Sequence, residues 1–324
     1  MNLPLATTET PTTEPTSPSD TEDALRAQAR SVIARENLTK TDAARQAGVA
    51  YTTFAAWLEG KYNGNNGRVT EDVAKWLSAR EVRKIMTAAM VKAPGFRMTP
   101  TAERILAILQ YAHTAPDISV IACGAGVGKT TACEHYAKNV PNVWMATMDP
   151  STAGVSTMLR ELCHAMDVTE RSATELARAV GRKIQGKEGL LIVDEAQHLS
   201  TAALDLLRSL HDRWSLGIAL VGNEAVYSRL DGEGRKAQFA QLFSRVGMRM
   251  TQSQPAKGDI AEMIGAWGIT DPDEIAFLEQ IAAKPGALRG LTKTLSLAST
   301  LANGAVEPRG LKHIRMAWSR RSLG

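Results

Sequence analysis

Cysteine is scarce in this chain: three residues in 324, at Cys123, Cys133 and Cys163. None forms a CxxC pair, and no histidine cluster stands at metal-ligand spacing, so neither a zinc module nor a disulfide framework is expected. Thiols this sparse suit a reducing compartment. Long apolar runs are absent as well. No stretch approaches the ~18–20 residues that span a bilayer. The first residues lack a basic segment followed by an apolar one, so no secretory signal is expected and the location predicted is cytoplasmic. Residues 1–23 hold no Lys or Arg and are rich in Thr, Pro, Ser and acids. Such a segment buries too little to offset its ordering entropy and reads as a disordered tail. Overall charge is close to balanced, at +4, which permits a polyanionic partner without requiring one.

What is present suggests two or three domains. From residue 24 to about 92, small and apolar residues recur at helical spacing. Residues 93–100 contain two prolines and a glycine and read as a linker. Beyond it, Thr101 is placed to cap a helix running to about His113. Short apolar runs at 118–122, 143–146, 190–193 and 218–221 then alternate with longer helical patterns. Buried parallel strands have this signature, so residues 101–254 read as a layered α/β core. After about Pro255 four helices are expected, at 259–267, 272–284, 288–301 and 308–320. Asp271 before Pro272 and Glu307 before Pro308 put proline at a first helical position.

The segment CGAGVGKTT (123–131) lies between an apolar strand and a helix. Gly124, Gly126 and Gly128 allow a backbone that aims successive N–H groups, including those of Ala125 and Val127, at phosphate oxygens. The N-terminus of the following helix adds to this anion site. Lys129 is placed to reach the β- and γ-phosphates of ATP, Thr130 to hold Mg²⁺, and Thr131 follows at the helix start. The pattern GxxxxGK[ST] is broken at its first position, Cys123. A second apolar strand ends in Asp194 and Glu195. Asp194 suits the Mg²⁺ shell and Glu195 the polarisation of an attacking water. The next apolar strand ends at Asn223. The segment LFSRV (242–246) offers Arg245, and PGALRG (285–290) puts Arg289 at the start of a helix.

This order resembles that of AAA+ ATPases: phosphate loop, Asp-Glu strand, Asn strand, Ser-Arg, then Gly-x-x-Arg in a helical lid. Within them, the run DEAQH (194–198) and the Ser-Arg-Val segment resemble the transposition ATPases of the phage Mu B type. The resemblance covers most of the chain. It implies an AAA+ core with a helical C-terminal domain over 255–324, preceded by an all-α helix-turn-helix domain over 24–92. It also implies Asn223 as a sensor of the γ-phosphate, Arg245 as an arginine finger acting on a neighbouring subunit, and Arg289 as a lid sensor. The expected activity is ATP hydrolysis coupled to assembly on double-stranded DNA as a helical homo-oligomer. That assembly would recruit a transposase, in the bacterial host cytoplasm if the chain is phage-encoded. A helicase-loader-like or secretion-associated ATPase, or a DNA-binding regulator that uses ATP only as a switch, shares parts of the pattern.

Residues 41–58 have helix-turn-helix spacing. Ala44 is small where two helices would cross, Gly48 sits in the turn, and Val49, Phe54 and Trp57 would fill the core. Thr41 or Asp42 is placed to cap the first helix. Lys40, Arg45, Lys61 and Arg68 surround the motif, and Tyr51, Thr52 and Thr53 begin its second helix. That helix offers no Arg, Asn or Gln for bidentate base contacts, which predicts phosphate-led, weakly selective DNA binding. An ordinary helical hairpin used for protein contact fits the same spacing. At the C-terminal end, Arg309, Lys312, Arg315, Arg320 and Arg321 occur without an acid between them. They read either as a contact for DNA or transposase, or as a solvated face favouring a helix C-terminus.

Overall fold

In the computed structural model, residues 18–89, 91–170, 172, 174–226 and 244–322 are described. The chain divides into two units, 1–89 and 90–324.

Aromatic and small residues build the first unit from four helices: α1 (Pro18–Arg35), α2 (Lys40–Ala47), α3 (Tyr51–Leu58) and α4 (Asn66–Ala89). Helix α1 overlaps the segment expected to be a tail. Arg26 anchors its first turns by pairing with Glu22 and Asp23, and its Nε donates to the Trp57 carbonyl. Residues 1–17 of that tail lie outside the described residues. The core packs Ala43, Ala44, Phe54, Trp57, Val73 and Trp76. Trp57 is fully buried, and its indole N–H donates to the Thr70 hydroxyl, so its polar atom is satisfied as burial demands. Gly48 ends α2 at φ 70°, a left-handed turn that a side chain would disfavour. The cap of α2 is Thr39, not Thr41 or Asp42: its hydroxyl accepts from the Asp42 amide at 3.0 Å.

In the second unit, α5 (Pro100–Thr114) leads into a five-stranded parallel sheet. Its strands are β1 (Ile118–Cys123), β2 (Val143–Thr147), β3 (Leu190–Asp194), β4 (Gly217–Gly222) and β5 (Val246–Gln252), in the order β2-β3-β4-β1-β5. Every residue of β1, β3 and β4 is buried, which is why these segments read as mostly apolar runs, with the small Ser119 within β1. Alternate residues serve opposite faces. Leu191, Val193, Ile218 and Leu220 pack under α7 (Val155–Ala165), α8 (Leu176–Ile184) and α9 (Thr201–Trp214). Leu190, Ile192, Ala219 and Val221 pack under α5 and α6 (Lys129–Asn139).

Strand β5 was not expected. It is half-exposed along its length, so it offers no continuous apolar run. Residues 227–243, which lead up to Arg245, lie outside the described residues.

The lid follows as α10 (Lys257–Ala266), α11 (Pro272–Ala282), α12 (Ala287–Gly304) and α13 (Leu311–Ser322), around Leu278, Leu291, Leu295 and Ile314. Asp271 caps α11 through the Asp273 and Glu274 amides, with Pro272 at the first turn. Pro308 does not open α13, which begins three residues later. The Ile314 amide reaches the Gly310 carbonyl, and Glu307 pairs with Lys312 instead of capping. Among the described residues, no helix is long and apolar enough to cross a membrane.

Candidate functional site

The phosphate loop leaves the buried end of β1. Cys123 is the last strand residue and lies within the apolar cluster under α5 and α6. Burial pushes its thiol up to about 11. It therefore behaves as a small apolar side chain at a position where glycine is the common choice. Val127 is buried in the same cluster, while Ala125 is exposed at the loop tip. Gly126 and Gly128 take φ of 80° and 104°, a left-handed backbone that favours glycine. Close approach of other backbone also requires glycine at two positions, Gly124 and Gly126. A Cβ on Gly124 would stand 2.0 Å from the Ser253 carbonyl oxygen, and one on Gly126 would stand 2.1 Å from that of Gly286. Residues 253 and 286 belong to the approach to the lid and to the lid itself. The Leu288 amide also donates to the Gly126 carbonyl at 3.1 Å. The loop is thus shaped by the lid as well as for phosphate.

A cavity of about 310 Å³ opens where loop and lid meet. Gly126, Gly128, Lys129, Thr130 and Thr131 line one side, and Met263, Leu288, Arg289 and Thr292 the other. The third wall is Pro94, Gly95, Phe96, Arg97 and Thr99. Residues 93–100 are therefore not a spacer. Phe96 stacks on His135 of α6 with ring centroids 3.8 Å apart, and Thr99 caps α5 by accepting from the Ala102 amide. Thr101, expected as that cap, instead donates through its amide and hydroxyl to Asp259 of α10. Asp259 is fully buried and also accepts from the Ala256 amide at 2.7 Å. It fastens the first lid helix to the first core helix.

Asp194 ends β3 with 1% of its surface exposed. Its Oδ2 accepts from the Thr130 hydroxyl at 2.8 Å and its Oδ1 from the Glu195 amide at 2.9 Å. Burial pushes its carboxyl above the ordinary range, outweighing the opposite pull of those two hydrogen bonds. A hydroxyl and a carboxylate so paired are hard oxygen donors of the kind Mg²⁺ takes beside phosphate, so the residues fit that ion. Among the described residues no cluster of three or more His, Cys, Asp or Glu offers a metal site of its own.

Glu195 follows at φ 54°, a left-handed conformation that costs a side-chain-bearing residue ~1–2 kcal/mol. Strain of this kind persists where the surroundings enforce it. Gln197, on the turn after β3, donates to Glu195 Oε2 and accepts from the Asn223 amide at 3.3 Å. Asn223 is exposed at the end of β4, and its Oδ1 accepts from the Ala225 amide.

The structure thus brings the phosphate loop together with Asp194 and Arg289, and links Glu195 to Asn223 through Gln197. Arg245 stands apart. Its carbonyl accepts from the Ile118 amide at the start of β1, the end of the sheet remote from the loop. The length of β1, roughly 17 Å at ~3.3 Å per residue, separates them. Its guanidinium pairs with Asp212 and holds that carboxyl below the ordinary range.

Family models for an AAA domain and for the C-terminal part of the Mu B transposition protein match residues 113–230 and 244–320. The chain is 35% identical over 296 residues to the ATP-dependent target DNA activator B of Escherichia phage Mu, covering 91% of this chain and 94% of that one. The chain belongs to the Mu B transposition protein family. The Mu-like prophage FluMu DNA transposition protein B of Haemophilus influenzae is also 35% identical, over 81% of this chain and 92% of its own length. Among solved structures, a RuvB mutant of Thermogota maritima matches at 16% identity over 69% of this chain and 70% of that chain, with a TM-score of 0.47. The α/β core is an AAA+ ATPase core, the nucleotide-using part of the chain.

In the first unit, Lys40 and Lys61 both pair with Glu59, at 3.3 and 3.6 Å, and Arg45 pairs with Asp42. The Lys40 hydrogen bond, more than any other contact, lowers the Glu59 carboxyl. Tyr51 and Thr52 are exposed at the start of α3, Thr53 is half-buried, and Arg68 is exposed on α4. Of the C-terminal cations, Lys312, Arg315, Arg320 and Arg321 are exposed, and four of the five also make contacts within the lid. Arg309 donates to the Trp267 carbonyl, Arg321 to Gly290 and Thr294, Arg315 lies over Phe277, and Lys312 pairs with Glu307.

Sequence reasoning missed Phe96, Thr99, Gln197, Leu288 and Asp259. Pro100 at a first helical turn was the available signal for Thr99. The others act across distances that local pattern does not report.

Proposed function

We propose that this chain is an ATP-dependent activator of target DNA in transposition. The observation that supports the reading is the cavity shared by phosphate loop and lid; nucleotide bound there would govern how the two meet. ATP would lie with its β- and γ-phosphates against Lys129 and the loop amides. Mg²⁺, held through Thr130 and Asp194, would neutralise phosphate charge when bound. Glu195 would orient and polarise the attacking water, Asn223 would sense the γ-phosphate, and Arg289 would report it to the lid. ATP-bound subunits would assemble along double-stranded DNA as a helical filament in the host cytoplasm. There they would recruit and stimulate a transposase, and hydrolysis would release the DNA. Electron microscopy of the full chain with duplex DNA and ATP tests this. Filaments that disappear without ATP are expected; closed rings or monomers would overturn the filament.

The first unit supports a phosphate-led DNA contact through α2, α3 and the residues around them: Lys40, Arg45, Tyr51, Thr52, Thr53, Lys61 and Arg68. Glu59 neutralises two of those cations at once. Glu59→Gln is therefore expected to tighten DNA binding and steepen the fall of log K with log salt by up to about two units, since each phosphate contact contributes roughly 0.9. Fluorescence anisotropy across a salt series reads this directly. An unchanged slope would show that Lys40 and Lys61 do not meet phosphate.

A further inference from the structure

We propose that Gln197 is a positioning residue for ATP hydrolysis: its side-chain amide fixes the carboxylate of Glu195 relative to the end of β4. The inference rests on the reading of Glu195 as the group that polarises the attacking water.

A glutamate side chain has three rotatable bonds, and a carboxylate that must meet a water in one orientation gains from being held. Gln197 supplies the restraint from both ends of one planar group. Its Nε2 donates to Glu195 Oε2, and its Oε1 accepts from the Asn223 amide at 3.3 Å. The orientation of the amide is set by chemistry. An ionised carboxylate only accepts and a backbone N–H only donates, so the reversed amide would lose both contacts. The second carboxylate oxygen of Glu195 is left to take the proton of a water.

The fold makes room for this arrangement. Gly222 ends β4, and a Cβ there would stand 2.3 Å from Gln197 Oε1. Gln197 itself sits on the short 3-10 turn Ala196–His198, directly after the left-handed Glu195. Strand end, turn and carboxylate thus form one unit: a shift of Asn223 moves Gln197, and Gln197 moves Glu195. A polar residue that merely covered a turn would need neither contact.

Steady-state ATP hydrolysis by the full chain with duplex DNA separates the two roles. Gln197→Met keeps the shape of the side chain and removes both hydrogen bonds. Its kcat is expected to fall ~10- to 100-fold, with KM for ATP changed less than about twofold. Gln197→Glu keeps the acceptor for Asn223 but puts a second carboxylate against Glu195, and should fall at least as far. Glu195→Gln combined with Gln197→Met should be no slower than Glu195→Gln alone, because residues acting as a unit are non-additive. Wild-type kcat in Gln197→Met, equal losses in kcat and ATP affinity, or losses that multiply in the double variant would each overturn the inference. Wild-type turnover in Glu195→Gln would instead overturn the reading beneath it, so the two failures are distinguishable.

Discussion

Glu195→Gln is expected to slow ATP turnover by ~10²–10⁴-fold, the range a positioned general base supplies, while nucleotide-dependent DNA binding persists. Glutamine keeps the length and polarity of the side chain but cannot accept a proton from water at neutral pH. Nothing that would hold the phosphates is altered: Lys129, the loop amides and the Thr130–Asp194 pair remain. DNA complexes formed with ATP should therefore outlive those of the wild type. Lys129→Ala has the opposite profile. Lys129 lies at the first turn of α6 on the cavity wall, 8% exposed as a residue, and loss of its ammonium should weaken both ATP binding and assembly on DNA. Equilibrium binding of a fluorescent ATP analogue, run beside a phosphate-release assay, distinguishes the two. Undiminished turnover in Glu195→Gln would remove the catalytic assignment, and undiminished nucleotide affinity in Lys129→Ala would remove the phosphate contact.

The parts of this molecule that were legible in the sequence are those whose cause is local. The centre of the sheet was readable because β1, β3 and β4 are buried on both faces and their residues are predominantly apolar. The phosphate loop was readable because left-handed backbone at Gly126 and Gly128 demands glycine wherever the loop occurs. Strand β5 escaped because an edge strand need bury only alternate residues. The segment 93–100 was misread because Pro and Gly describe local stiffness and turning, not what a loop packs against; the stacking of Phe96 on His135 is a tertiary fact. The lid contacts of the C-terminal arginines were not legible for the same reason. An arginine that donates to the Gly290 carbonyl, or to that of Trp267, has the same sequence signature as one in water.

The lid contacts join these observations into one path. Gly126 and Leu288 share a backbone hydrogen bond, and Asp259 ties α10 to Thr101 of α5. A phosphate loop that adjusts to nucleotide would therefore be felt at the start of α12, next to Arg289, without any long-range relay. Two packed elements meeting at one such point are the kind of junction that a ligand biases toward one arrangement.

Arg245→Ala is expected to lower DNA-stimulated ATP turnover by ~10³–10⁵-fold if its guanidinium completes a neighbour's site, the range that arginine fingers supply. Within its own subunit Arg245 has no route to the phosphates, since it stands at the far end of β1 from the loop. Its ion pair with Asp212 is a half-exposed contact, of a kind worth ~0–1 kcal/mol. An ordinary surface ion pair would predict near-wild-type turnover in Arg245→Ala. A mixing experiment separates assembly in trans from simple damage. Arg245→Ala and Lys129→Ala are each expected to be inactive alone. In a mixed oligomer, the intact Arg245 of one variant can face the intact phosphate loop of the other, so part of the DNA-stimulated activity should return. The Lys129 variant must join the assembly for this to occur, which co-sedimentation with DNA-bound Arg245→Ala measures directly. Co-assembly without recovery would overturn action in trans, and wild-type turnover by Arg245→Ala alone would overturn the finger assignment and turn attention to Arg249 on β5 or to Arg235, which lies outside the described residues.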